Sequence, residues 1–560
     1  MVRSGTFMPR FLLFLCLIAG TAAGQLTTEQ KRQDLQSLAA TFDKQYGPYQ
    51  WKRDRIGFDL LNIAPWLSRA ADTQNDLDFY EVMAEYVASL SDTHSLYLLP
   101  SRFSAGMGFT VDIFDGKVLI DSLSRGRLPL ASFPISVGDE LVSVDGVAMA
   151  DLIPKYAQYH HYATPRASAR YSANSVVNRF QIYNPYAVNV PATSALVFNR
   201  ATGGPITLTV PWGRAGLPLN SIDPAPTPNS VSARASTSPG AVAKDLLEQL
   251  RNATDPVPEA ITGYGAFNPV FNLPAGFVQR LGQKASDQFL SGTFPSGART
   301  FGFLRIASYS PSSSSVALAQ FRAEMAYFQQ NVDGLIIDQM RNPGGTVCYA
   351  QNIVASLMPG EFRALGFEVR ATRNVLLNAY SALNNALAFG PQTDAEQYQL
   401  IYDNVLAAYQ ANRANTAAMP LCGSTLTAQP ATDSTGTVIS YTKPLVFLID
   451  EFSTSGGDAV PAMLQDNGRG VLVGYNTNGA GGTVGDGFSA GAFSEGTANI
   501  TLSLMARKGP VDSAYGPTIY VENVGVRPDV TLDYMTRDNL MNGGRTFLSQ
   551  VIDVLNQQIQ

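Results

Sequence analysis

Two segments of the chain repeat one pattern: a short apolar run, a glycine-bearing turn, then a helix-forming stretch. The first is Leu335-Ile-Ile-Asp-Gln-Met-Arg-Asn-Pro-Gly-Gly345, and the second runs from Phe447-Leu-Ile-Asp-Glu-Phe-Ser-Thr-Ser-Gly-Gly-Asp458 to Arg469. Such runs bounded by turn residues read as buried strands of a parallel sheet. Each places backbone N–H groups at a helix N-terminus beside the carboxyl end of a strand, where developing negative charge is stabilised. A serine on the second turn, followed by two glycines that let a substrate backbone approach, occupies the position of an acyl-transfer nucleophile. Ser455 directly precedes Gly456, whose N–H opens the helix; Ser453 and Thr454 are the alternatives in the same turn. Either turn alone is an ordinary strand-to-helix loop. The pair together argues for an oxyanion site.

The surroundings continue the alternation. Phe301–Ile306 reads as a strand, 316–331 as a helix with Leu318, Phe321, Met325 and Phe328 on one face, and 334–338, 444–449 and 470–474 as further strands. Residues 371–415 read as a helical hairpin inserted into this sheet domain, which spans 298–560. Upstream, 25–104 reads as a helical unit, and 105–216 as a β-rich unit with turns at Asp115-Gly116 and Asp145-Gly146. Residues 217–297 begin with a stretch rich in Pro, Ser, Ala and Asn and read as a linker or insertion. The fold class expected is multidomain α/β.

The first 24 residues carry Arg3 and Arg10, the apolar run Phe11–Ile18 and then small residues, the pattern of a secretory signal peptide. No later segment is long and apolar enough to span a bilayer, so the mature protein is expected to be soluble and extracytoplasmic, either secreted or periplasmic. Beyond Cys16 only Cys348 and Cys422 remain, which either pair or stay as thiols, and which alone cannot close a zinc site. The net charge of -6 provides no basic field for nucleic acid or an anionic membrane surface.

With Asp338, Arg341-Asn-Pro-Gly-Gly345, Ser453-Thr-Ser-Gly-Gly-Asp458, Gln465-Asp-Asn-Gly-Arg469 and Gly525-Val-Arg-Pro-Asp529 in this order, the chain resembles the C-terminal processing peptidase and tricorn protease family of serine peptidases. The order of a helical start, a degenerate PDZ and an inserted hairpin is similar to relatives of the chlamydial protease-like activity factor. The resemblance implies a layered catalytic domain of crotonase-like ββα units, a polypeptide substrate and no metal or cofactor. It places the nucleophile on Ser455. One branch of the family carries a lysine base in a Gly-Lys-Gly loop, which aligns here to Gly479-Ala480-Gly481, so that lysine is missing. The tricorn-like branch uses a histidine, and Ser91-Asp-Thr-His-Ser95 resembles its motif, which makes His94 the expected general base. The family's late acid falls on Glu522, expected to orient His94, with Asp92, Asp458 and Asp529 as rivals. His160 and His161, in a Tyr-rich polar stretch, read as surface residues. Gly456 and one of Gly344 and Gly345 are the expected oxyanion donors. Gly106-Met-Gly-Phe109 resembles the peptide-binding loop of a PDZ domain, which would take a peptide by strand addition. A non-catalytic peptide- or lipid-binding protein on the same fold is the alternative. The oligomeric state stays open, a homodimer included.

Overall fold

A computed structural model describes residues 25–220 and 261–559. The expected signal peptide and most of the Pro/Ser-rich stretch lie outside the described residues.

Among the described residues the largest sheet has seven strands in the order Val278–Leu281, Leu290–Ser296, Arg299–Arg305, Gly334–Asp338, Leu445–Ile449, Val471–Gly474, Val530–Thr531. The first three are antiparallel, and from Arg299–Arg305 onward every pairing is parallel. Helices cover both faces, so Gly334–Asp338 and Leu445–Ile449 are buried along their whole length, which is why they read as unbroken apolar runs. The first two strands correct the expected linker: the sheet begins at Val278, inside the range 217–297. Helix Ser314–Asn331 buries Ala317, Phe321, Met325 and Phe328, and also Glu324, which Arg280 and Ser291 hold. Leu318 sits one position off this face and is only half-buried. The inserted segment is a pair of helices, Arg373–Phe389 and Gln392–Gln410, packed on each other.

The helices Thr28–Gln45 and Asp76–Ala88 do not form an independent unit. Their Leu35, Phe42 and Tyr86 share one core with Phe321, Ile337 and Phe447 of the catalytic layers. Between them a short helix, Tyr49–Trp51, runs into a π-helical turn, Lys52–Ile56, whose Lys52 is fully buried. Asp76–Ala88 then leads into the turn Asp92–Ser95, also buried.

The β-rich unit has its own core, including Phe109, Ile120, Leu141 and Phe198, inside an antiparallel sheet ordered Phe109–Phe114, Lys117–Leu123, Glu140–Val144, Thr193–Arg200, Gly204–Pro211. Phe109–Phe114 is the edge strand on which a peptide would add. That edge is already satisfied from within. Asn178 Nδ2 donates to Phe109 O at 2.9 Å, Val111 N donates to Asn174 Oδ1 at 3.3 Å, and Ile113 N donates to Asp112 Oδ1 at 2.7 Å. In the loop before it, Met107 N donates to Val177 O, and Gly106 pairs with Gly213 and Asn178. The expected docking of a peptide along Gly106, Met107, Gly108 and Phe109 is therefore not open in this conformation, because helix Pro165–Val177 and Asn178 have taken the bonds it would use.

Candidate active site

Ser455 stands at the end of the turn that follows Leu445–Ile449 and caps helix Gly456–Asp466 with φ 58° and ψ -108°. A non-glycine residue in this region is strained, and such strain persists only where surrounding contacts impose it. The contacts here are numerous. Ser455 N donates to Asp458 Oδ2 at 2.8 Å, and Asp458 also accepts from Thr477 Oγ1, Gly479 N and Ala480 N. Seven non-glycine residues have positive φ among the described residues, and four of them, Ser91, Arg341, Ser455 and Asn523, belong to the site region.

The first turn packs directly on the second. Thr454 N donates to Asn342 O at 2.9 Å, Arg341 N to Asp450 Oδ1 at 2.7 Å, and Gln339 Nε2 to Gly457 O at 2.7 Å. A Cβ on Gly344 would come within 2.6 Å of Ser455 Cβ and 2.8 Å of Gly456 N, so only glycine fits there. Of the expected oxyanion donors, Gly344 N is already committed to Asn342 Oδ1 at 2.8 Å. Gly345 N and Gly456 N donate to no acceptor among the described residues, and Gly345 N lies 3.2 Å from where a Cβ on Gly456 would stand. These two N–H groups are the adjacent free pair.

His94 is fully buried, and the Asp92–Ser95 turn holds its backbone: His94 N donates to Asp92 Oδ1 at 2.9 Å. Asp92 accepts further from Tyr46 Oη, Ser95 Oγ and Thr501 Oγ1. The turn is tied to the Ser455 segment by Asn478, which accepts from Thr93 Oγ1 at 2.6 Å and donates to Ser453 O and Glu451 O. Neither ring nitrogen of His94 has a hydrogen-bond partner. Burial pushes the imidazole down to about 4, with Asp92 working the other way and Lys52 adding to the fall, so the ring is the neutral, basic form at neutral pH.

Glu522 does not touch His94. Its carboxylate is bound by Lys52 Nζ and by Gly481 N at 2.8 Å, a correction to the expected orienting contact. The carboxylate beside His94 is Asp92. Ala480, at the place of the missing lysine, is fully buried, and its N–H serves Asp458. Asp529 accepts from Gln465 Nε2 and Leu472 N, away from this cluster. The surface reading is also corrected for His160, whereas His161 keeps part of its surface exposed. His160 is buried and stacked between Tyr162 and Tyr183, and His161 Nδ1 lies 3.2 Å from Ser91 Oγ.

A second charged layer stands behind Ser455, and sequence reasoning missed it. Arg170, from the β-rich unit, binds Asp112 through two nitrogens at 2.8 and 2.5 Å and pairs with Glu451 at 2.9 Å. Arg166 pairs with the same Glu451 and bidentately with Asp533. The edge strand of the β-rich unit is thereby joined to the residues just before Ser455. The only hint in the sequence is the pair Arg166 and Arg170, four residues apart on helix Pro165–Val177, whose acidic partners are distant in the chain.

A strained serine at a helix start, two free backbone N–H groups beside it and a buried neutral histidine on an adjoining turn define a serine-type peptidase. In agreement, residues 300–498 match peptidase family S41 and residues 104–215 match a PDZ domain. More particularly, the chain is similar over nearly its whole length to chlamydial proteins. It is 24% identical to a protein of Chlamydia trachomatis, covering 98% of this chain and 96% of that one, and 26% identical to one of Chlamydia pneumoniae, covering 94% and 90%. Among solved structures, mature CPAF complexed with lactacystin shares the fold, with TM-score 0.73, 22% identity, and coverage of 95% of this chain and 99% of that chain.

Proposed function

We propose that the protein is an extracytoplasmic endopeptidase acting through an acyl-enzyme on Ser455. Ser455 Oγ attacks a peptide carbonyl while His94 takes its proton, and the same histidine returns the proton to the leaving amine. The tetrahedral oxyanion is held by Gly456 N–H and Gly345 N–H, preorganised by the packing of one turn on the other. Asp92, with Glu522 behind it, offsets the charge of the imidazolium. The observation that carries this reading is the strained conformation of Ser455 beside two unengaged N–H groups. An extracytoplasmic location is supported by the signal-like start and by the disulfide between Cys348 and Cys422, whose Cα atoms are 5.4 Å apart.

A fluorophosphonate probe tests the reading. Stoichiometric labelling of the folded wild type, mapped to Ser455 and abolished in Ser455→Ala, is expected. A wild type that stays unlabelled and leaves peptides uncleaved would refute it.

A further inference from the structure

Lys52 is a lysine with no exposed side-chain surface, placed by the π-helical turn of the N-terminal helical segment. Burying an ammonium is expensive unless it is fully paired, and apolar residues of similar size stabilise such positions as well or better. Its retention inside the core therefore calls for a role. The Lys52 ammonium has three acceptors: Glu522 Oε1, Asn523 Oδ1 at 2.6 Å and Ser91 O at 3.1 Å. Asn523 Nδ2 donates to the same Ser91 carbonyl at 2.8 Å.

These contacts join two chains of hydrogen bonds. One runs from Glu522 to Gly481 N–H and, through the neighbouring Ala480 N–H, to Asp458, which holds Ser455 N. The other runs from Ser91 into the turn that carries Asp92 and His94. Lys52 thus touches both the segment that fixes the nucleophile and the segment that carries the histidine. We infer that Lys52 is a positioning residue for the reaction, registering the His94 turn against the Ser455 turn by binding Glu522, Asn523 and the Ser91 carbonyl together. This inference rests on the peptidase reading and assigns part of the site to the N-terminal helical segment.

The titratable groups facing Lys52 are Glu522, Asp92 and the neutral His94, with Tyr46 on Asp92 and Tyr515 near Glu522. Burial raises the pKa of both tyrosines, which stay neutral. Burial likewise pushes Glu522 up to about 7, with Lys52 opposing and Asp92 adding to the rise. Two buried carboxylates without the ammonium cannot both stay ionised near neutral pH, and Glu522 takes the proton. Protonated, it is a weaker acceptor for Gly481 N–H, and the register loosens.

The test is the second-order rate of fluorophosphonate labelling at Ser455 across pH, in the full chain. In the wild type the rate should fall as pH drops through Glu522's range, and Glu522→Gln should lack that limb. In Lys52→Met the limb should move up by about one pH unit or more, with a loss of at least about fivefold near pH 7 that recovers at higher pH. A role in stability alone would lower the rate without moving the limb, and an unmoved limb overturns the inference. Should Lys52→Met fail to fold, Lys52→Met/Glu522→Gln removes both charges and leaves neither buried alone. If Lys52 acts through Glu522, this double variant labels within about threefold of Glu522→Gln, whereas a further loss beyond about tenfold contradicts it. A wild type that does not label defeats the peptidase reading and this inference together; a labelled wild type with the wrong variant behaviour defeats only this one.

Discussion

Thr454 N donates to Asn342 O at 2.9 Å, so the turn that carries Ser455 hangs on the turn that carries Gly344 and Gly345. Neither turn is positioned by its own strand alone. Ser455, the proposed nucleophile, and the proposed oxyanion donors are fixed as one body, and a change in the first turn should be felt at Ser455.

Gly344→Ala tests this relationship. Its φ of 94° disfavours any side chain, and the added methyl meets Ser455 Cβ, Thr454 O and Gly456 N. Displacing a nucleophile by a fraction of an ångström to an ångström costs about a hundredfold, so labelling and peptidolysis should drop by about that factor while the variant still folds. Wild-type rates in Gly344→Ala would show that the turns move independently.

Arg170→Met should loosen the junction between the β-rich unit and the catalytic unit. Arg170 is buried with Asp112 and Glu451, and its loss leaves two carboxylates with less compensation, a defect of about 3–5 kcal/mol in comparable buried pairs. The midpoint of urea unfolding should fall accordingly, and adding Asp112→Asn should recover part of the loss. An unchanged midpoint in Arg170→Met would show that the cluster contributes nothing net.

Acid stability should depend on His160. Burial pushes its imidazole down to about 3, against about 6.5 in an unfolded chain. Between those values the unfolded state binds more protons, so this group withdraws stability as pH falls below about 6.5. Glu522 works in the opposite direction, since its folded value is raised, so the wild-type slope is a difference of terms. His160→Phe isolates the histidine and keeps an aromatic ring between Tyr162 and Tyr183. Relative to the wild type, this variant should gain about 2 kcal/mol between pH 6.5 and pH 5 in urea titrations, and a constant difference across that range would contradict the assignment.

The parts legible in the sequence are those whose physics is local. Leu445–Ile449 is apolar throughout because helices cover both faces, and Ser455-Gly-Gly marks a helix start because the turn needs small residues. What stayed hidden depends on partners far along the chain. Nothing local in Trp51-Lys-Arg-Asp-Arg55 marks one of its charges for burial, and only its meeting with Glu522, hundreds of residues later, buries Lys52. The short strands Val278–Leu281 and Leu290–Ser296 lie in a region whose Pro, Gly and Ser content mimics a linker. The Gly106–Phe109 loop has the residues of a peptide-binding loop, but the asparagines that close the adjacent edge come from a helix and the residue just after it, whose docking the glycine pattern does not encode.

The most direct measurement is the rate of fluorophosphonate labelling at Ser455 in His94→Ala near neutral pH, with folding verified by near-ultraviolet circular dichroism. Removal of a general base costs about 10²–10⁴, so the variant should label at least about a hundred times more slowly than the wild type. A His94→Ala protein that labels within about twofold of the wild-type rate would show that another group activates Ser455.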